Sequence, residues 1–438
     1  MFMKMLKTNS IWKLTVIIFI QIFPTCVFSK SVEHGPDTLS ITLKTAEERF
    51  IKENLQLLAS RYNIKAAEAQ ITQTRLWSNP NISIEQNIYN QTTHRYFDFT
   101  STSNTEVQIQ QLFTLAGKKD KQVRVSEINK QLSEFTFYDL LRSLKYQLRT
   151  DYYDLFFLQQ SLRFYNESIP NLSRTIGSVE DAFNKKSMLL SEVIRLKSLL
   201  LSLQNEKLGI ENQITELQND MHILLHDTTL QNIYYIPQLE LHLLDSLKVD
   251  NLSLDQAIQT GISSRPDYKL VAVTVKLDEA NLSLQKSLAV PDVTIGGRWS
   301  RAGSYIPEYY ALNFSIDLPF FNRNQGNIEA AEMNMLADES SRQQSMNSIE
   351  REITNAYQKA IGTDKLFKSL DKKFTAQYQT LVASMTQNFQ KRNITIIDFT
   401  DFYESYRTSV LQLNQIQNSR LDAFETLNFR TGTDLIIP

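Results

Sequence analysis

The chain carries one pattern twice, in the same order, and this limits it to folds built from two equivalent halves. Setting Pro80 on Pro291 brings Ile41-Thr42-Leu43 onto Leu252-Ser253-Leu254, Ala46 onto Ala257, Ile82 onto Val293 and Ile84 onto Ile295 without a gap. Nearer the C-terminus, Phe183-Asn184 falls on Phe389-Gln390, and Ser191-Glu192-Val193 on Ile397-Asp398-Phe399. Solenoid repeats recur every 20 to 50 residues or so and need several copies. A period near half the chain instead implies one duplication, with a first repeat over 30–230, a connecting belt over 231–250 and a second repeat over 251–438.

Each half contains two segments of strand-like alternation, about Asn81 to Tyr89 and Glu106 to Phe113, then Val290 to Arg298 and Tyr309 to Leu318. In the last of these Leu312, Phe314, Ile316 and Leu318 share one face, and Asn313, Ser315 and Asp317 the other. An apolar outer and polar inner face suits a barrel set in lipid around water. Trp77 and Trp299, with Tyr309 and Tyr310, fit a membrane interface or an aromatic core equally well. Four strands cannot close a barrel, and open sheet edges do not survive in hydrocarbon. Several chains must therefore contribute. Two would give a barrel filled by its own side chains, whereas three would leave a channel.

The first residues read as a secretory leader: Lys4, Lys7 and Lys13, the apolar run Leu14 to Phe23, and Val27-Phe28-Ser29 as a cleavage site before Lys30. The single cysteine, Cys26, would leave with it; a lipoprotein with acylated Cys26 is the alternative, though Phe23-Pro24-Thr25 departs from the expected pattern. After the leader no run reaches the 18 to 20 or so apolar residues of a membrane helix. The net charge of −2, with no basic cluster, gives no case for nucleic acid.

The rest reads as helix: Leu43 to Leu76, Lys118 to Phe183, Leu189 to His226, Leu254 to Ser264, Asp267 to Ala289, Gln325 to Phe389 and Ile396 to Phe429. Glycine supplies only 11 residues, which favours long helices over loops. Pro170 is expected to kink or briefly break the first long helix. Two short turns, Asn184 to Leu190 and Gln390 to Ile396, lie at the far end of the helices from the strands.

Catalytic signatures are lacking. Gly117-Lys118 has neither the earlier glycine nor the following Ser/Thr of a phosphate loop. His222 and His226 share a helix face, with Asp220 and Asp227 near, but two ligands without a second cluster read as packing or surface histidines. No cofactor or resident metal is expected.

The segments LPFFNRNQGNIEAA (Leu318 to Ala331), QQLFTLAGKKDKQ (Gln110 to Gln122), SNPNISI (from Ser78) and PDVTIGG (from Pro291) together resemble the TolC family of outer-membrane efflux channels. Asn322-Arg323-Asn324-Gln325-Gly326 is most similar to its heavy-metal branch of CzcC- and CusC-like channels. The resemblance implies an α+β membrane protein: a homotrimer whose twelve-stranded barrel, four strands from each chain, continues into a helical tunnel. Gly117, Pro319, Arg323 and Gly326 would form the strand-to-helix turns. Asp398 and Asp401 would form acidic rings at the channel entrance beside Phe389, which stands where the family has a gate tyrosine. Lys185, Lys186, Ser187 and Leu190, with Lys391, Arg392, Asn393 and Thr395, would dock a periplasmic adaptor, joined to an inner-membrane pump of the RND type. The chain departs from the family at Lys186 and Arg392, where glycine is expected, and at Ile394, where an arginine is expected. No reaction is implied; the conduit would pass metal ions or small toxic compounds. A type I secretion conduit for polypeptides, or a non-channel coiled-coil adaptor or scaffold, are the other readings.

Overall fold

A computed structural model describes residues 37–226, 233–247, 249, 252–301, 306–370 and 374–436. The leader, with Cys26, lies outside them, as does part of the 231–250 belt. The chain begins with β1 (Thr38–Thr42), α1 (Leu43–Glu53) and α2 (Leu55–Thr74), then β2 (Asn81–Gln86), the short pair β3 (Tyr89–Asn90) and β4 (Arg95–Tyr96), and β5 (Thr105–Phe113). Next come α3 (Lys118–Asn184) and α4 (Leu190–Leu225), an antiparallel hairpin, followed by β6 (Tyr234–Gln238) and the single turn α5 (Leu241–Leu244). The second half runs α6 (Leu254–Ser264), α7 (Pro266–Leu288), β7 (Val293–Ser300), β8 (Tyr309–Ile316), α8 (Gln325–Lys368), α9 (Phe374–Gln390) and α10 (Ile396–Thr431).

The duplication is visible in backbone angles. Asn54 and Arg265, equivalent in the two halves, both leave the helix at φ/ψ near −60/122°, separating α1 from α2 and α6 from α7. At Asn54 this breaks the single helix expected from Leu43 to Leu76. Its side chain accepts from Leu57 N at 3.0 Å and donates to the Leu224 carbonyl at 3.0 Å, so the buried amide caps α2 and ties it to α4. Pro170 was expected to kink or briefly break α3; there is no break, and α3 runs on through it for 67 residues. Tyr165, Ser168, Leu172 and Thr175 are buried on both sides of the proline, and that packing outweighs an interior penalty of about 3 kcal/mol. The reverse holds in the second half: the helix expected from Gln325 to Phe389 ends at Lys368, capped at Ser369, and resumes at Phe374.

The largest core lies at mid-height. There β1 pairs in parallel with β6, over Tyr152, Tyr153, Phe156 and Phe157 of α3 and Leu421, Phe424 and Leu427 of α10. Two arginines hold its charged centre. Arg149 donates from Nε to Glu47 at 2.5 Å and from Nη1 to Glu425 and Asp434, both at 2.9 Å. Burial works against its charge, yet Glu425 and Glu47 hold the guanidinium protonated beyond its ordinary range. Arg420, 1% exposed, binds Asp364 on α8 (Nε to Oδ1, 2.8 Å) and the carbonyls of Leu244 and Leu247 at 2.6 and 2.9 Å. Phe367 and Phe424 cover its guanidinium carbon at 4.3 and 4.9 Å. A second cluster, with Phe164, Leu172, Val193, Leu196, Phe389, Phe399 and Tyr403, packs the far end of the helices. We expect Arg420→Leu to lower the unfolding free energy by about 3 kcal/mol, because it leaves Asp364 with Lys368 (2.7 Å) as its remaining cation and unpairs two buried carbonyls. A denaturant midpoint equal to wild type, measured in detergent, would contradict this.

Candidate functional site

The four longest strands of the hairpins form one antiparallel sheet in the order β2-β5-β7-β8, with the central pair joining the two halves. Its register gathers Ile82, Ile84, Val107, Ile109, Phe113, Val293, Ile295, Trp299, Tyr310, Leu312, Phe314 and Ile316 on one face. Leu312, Phe314 and Ile84 are 76, 71 and 70% exposed, so no described residue covers that face there. The opposite face carries Ser83, Glu85, Glu106, Gln108, Gln110, Thr294, Arg298, Asn313 and Ser315. There Arg298 lies 3.5 Å from Glu106 and over the Tyr309 ring at 5.9 Å. The outer edges of β2 and β8 have no strand partner among the described residues. Among those residues, no helix is long and apolar enough to cross a membrane.

Two turns join sheet to shaft. Gly117 caps α3 with φ +64°, and Asn324 caps α8 with φ +60°. A left-handed residue there reverses the chain from strand to helix, which glycine and asparagine tolerate best. The expected turn residue Gly326 lies one step inside α8; Pro319 is the central residue of a tight turn after β8 in which the Phe320 N–H reaches the Leu318 carbonyl at 2.9 Å, and the Arg323 N–H donates to Gln325 Oε1 at 2.8 Å. Lys118 Nζ, buried, meets Asp292 Oδ1 at 2.6 Å, and that oxygen also accepts from Leu115 N at 2.9 Å, locking the first turn to the start of β7. Asn324 Nδ2 donates to the Gln285 carbonyl at 2.8 Å, locking the second to α7.

At the other end both helical hairpins close with the same geometry. Lys186 and Arg392 take φ +60° and +62°. The N–H of Lys186 reaches the Phe183 carbonyl at 2.8 Å and that of Ser187 reaches Ala182 at 2.9 Å; Arg392 to Phe389 and Asn393 to Asn388, both 2.9 Å, repeat the pattern. These are paired C-terminal caps built on long basic residues where glycine costs least. Arg392 Nη2 donates to Ser187 Oγ at 3.0 Å, so the two tips touch. Lys185, Lys186, Lys391 and Arg392 are exposed, as are Leu189 and Leu190, at 68 and 57%.

Thr395 starts α10 with a reciprocal cap: Asp398 N donates to its Oγ1 at 3.2 Å, and Asp398 Oδ2 accepts from the Thr395 N–H at 3.1 Å and its hydroxyl at 2.7 Å. The Thr395 hydroxyl, then its N–H, hold the Asp398 carboxyl below the ordinary range. In the first hairpin Glu192 accepts from Leu189 N at 2.8 Å, but leucine offers no oxygen in return. Asp398 and Asp401 are both exposed on one side of α10, with Glu404 a turn beyond, while Phe399 and Tyr403 are buried on the other. Glu404 was legible as the next acidic residue at three-residue spacing. Phe389 does not join the aspartates: it is 4% exposed and stacks on Phe399, ring centroids 4.6 Å apart. Ile394 packs against the same cluster. The histidines part company too, with His222 tilted on Tyr235 at 5.0 Å and His226 the left-handed cap of α4.

The chain thus carries a sheet with one apolar and one polar face, mounted on a shaft of helices far longer than a globular domain uses. Residues 257–433 match the model of the outer membrane efflux protein family. The fold is shared with CusC (TM-score 0.69, 15% identity, 89% of this chain and 92% of that one). It is equally shared with the Campylobacter jejuni outer-membrane channel CmeC (0.72, 14%, 90% and 86%) and the open state of the Neisseria gonorrhoeae channel MtrE (0.67, 15%, 90% and 89%). No curated protein sequence matches the chain.

Two expectations concern the tips. Lys186→Gly should raise the stability of the first hairpin by up to about 1 kcal/mol by removing a side chain from a left-handed residue; unchanged amide exchange at the tip would refute it. Because the Asp398 pKa is depressed on folding, its contribution to the α10 cap is present above the ordinary carboxylate range and is lost as pH falls below it. Thr395→Ala should return the Asp398 pKa towards the ordinary value, read by carboxyl NMR shifts.

Proposed function

We propose that three copies of this chain form the outer-membrane channel of a tripartite efflux system. The observation that carries the proposal is the sheet: its outward face is apolar and uncovered, and its two edges, β2 and β8, are open. Unpaired backbone groups cannot remain in hydrocarbon, so β2 of one copy pairs with β8 of the next. Three copies give twelve strands around a lumen lined by the polar face, continuous with a periplasmic tunnel of helices. The channel is a passive conduit; its partners are a periplasmic adaptor and an inner-membrane pump of the RND type, which supplies the energy.

Adaptor docking is assigned to the exposed basic tips, Lys185 to Leu190 and Lys391 to Thr395. Threefold symmetry turns Asp398 and Asp401 into acidic rings at the periplasmic entrance, favouring cations there. Phe389, packed beneath them on Phe399, sets the position of that face and does not itself line the opening. The acidic rings and the likeness of the Leu318 to Ala331 segment to CusC-like channels support metal ions or small toxic cations as cargo.

The assembly is tested by Ser83→Cys with Ser315→Cys, on the polar faces of the two edge strands, in a Cys26→Ser background. A cross-linked ladder ending at three chains, together with discrete conductance steps in a planar bilayer, is expected. A ladder ending at two, or running on past three, would overturn the trimer. In the same bilayers Asp398→Ala with Asp401→Ala should weaken block by divalent cations several-fold; unaltered block removes these residues from the entrance.

A further inference from the structure

Two adjacent glycines in β7 have different reasons to exist. Gly296 faces the polar side, and a Cβ there would sit 2.8 Å from the Ile109 carbonyl oxygen, so close strand approach excludes a side chain. Gly297 faces the apolar side between Ile109 and Leu312, where a Cβ would meet nothing within 4 Å, and its φ is not left-handed. The ladder runs through it without a bulge. Neither backbone conformation nor packing within the chain requires glycine at 297. A glycine inside a strand costs roughly 0.5–1 kcal/mol and commonly marks where something else approaches the backbone.

The missing side chain opens a notch of about 480 Å³ walled by Val107, Ile109, Trp299, Tyr310 and Leu312. The notch lies one outward-facing position from the end of β7 that is farther from the helices. Beyond that end Arg301 sets its guanidinium carbon 5.6 Å from the Trp299 ring centroid, held by an Nη1 bond of 2.6 Å to the Phe99 carbonyl. An aromatic-walled apolar slot under a fixed cation has the chemistry of a lipid site: chain in the slot, phosphate at the rim.

We propose that the Gly297 notch holds one acyl chain of an anionic membrane lipid whose phosphate is bound by Arg301. This rests on the barrel reading of the sheet, which places the apolar face in the bilayer. Charge and position together favour a lipid over a second copy of the chain, which would be met at the strand edges and not on this face.

The test uses Trp299 as reporter in full-length protein carrying Trp12→Phe and Trp77→Phe, reconstituted in phosphatidylcholine vesicles. Quenching is compared between brominated phosphatidylglycerol and brominated phosphatidylcholine, with conductance read on the same preparations. The anionic lipid should be preferred about fivefold, the worth of one arginine near a lipid phosphate, and Arg301→Gln should abolish the preference. Gly297→Leu should reduce quenching by both lipids while leaving conductance intact. Equal quenching by the two lipids before and after Arg301→Gln, or full quenching in Gly297→Leu, would overturn the site while leaving the channel. Loss of both quenching and conductance in the parent protein would overturn the barrel and the site together.

Discussion

A backbone amide or carbonyl facing hydrocarbon must find a partner, and in the proposed membrane placement the four-stranded sheet answers to that requirement. Helices satisfy it internally, but a sheet satisfies it only when no edge is left open. The four strands pair among themselves through β5 and β7 and leave β2 and β8 unmatched, so the fold is complete in its interior and incomplete at its margins. The polar and apolar faces cannot be exchanged, because a slip of one residue would move that strand's whole side-chain set across the sheet, as for β5, where Val107 and Ile109 would trade faces with Gln108 and Gln110.

Beneath the sheet a different interaction fixes the geometry. Arg149 joins α1, α3, α10 and the C-terminal segment through Glu47, Glu425 and Asp434, and Arg420 joins α10 to α8 and to the α5 region. Ion pairs so deeply buried recover their desolvation only through good geometry, so they specify alignment more than they add stability. Nearer the tips the seam between the two halves becomes a chain of side-chain bonds: Asn414 to Ser161 at 3.0 Å, and Arg407 to Glu206 at 3.0 Å, with Tyr165 on the same carboxylate at 2.8 Å. The halves are thus held in register from mid-height nearly to the turns.

Much of this was legible in the sequence, and for a physical reason. A strand between lipid and water must alternate, and so do half-buried strands of soluble sheets, so the face of Leu312, Phe314 and Ile316 took its meaning from the turn and long helix that follow and from the second copy of the pattern. The helix break at Arg265 was equally plain because Pro266 follows it, whereas the equivalent break at Asn54 was hidden: a capping asparagine inside an apolar periodic run reads as helix until its partner, the Leu224 carbonyl, is known. Pro170 misled in the other direction, since local propensity yields to packing along a long interface. At the tip the aspartates came from the family resemblance, their three-residue spacing adding only that they share a helix face, and a sequence does not say which side of a helix looks inward. Phe389, expected beside them, is buried and stacked on a ring from the other arm of its own hairpin.

The unbroken α3 also constrains how the protein can change in length. At 1.5 Å per residue, 67 residues give a rod of roughly 100 Å. Adding four residues would lengthen it by about 6 Å and rotate everything beyond by about 40°, while seven would add about 10 Å with only about 20° of rotation. Any such step must be matched in α4 and again in α8 to α10, or Ser187 and Arg392 would no longer meet. The span of the shaft can therefore drift only in paired jumps of whole turns, a gauge with coarse graduations and two scales that must be moved at once.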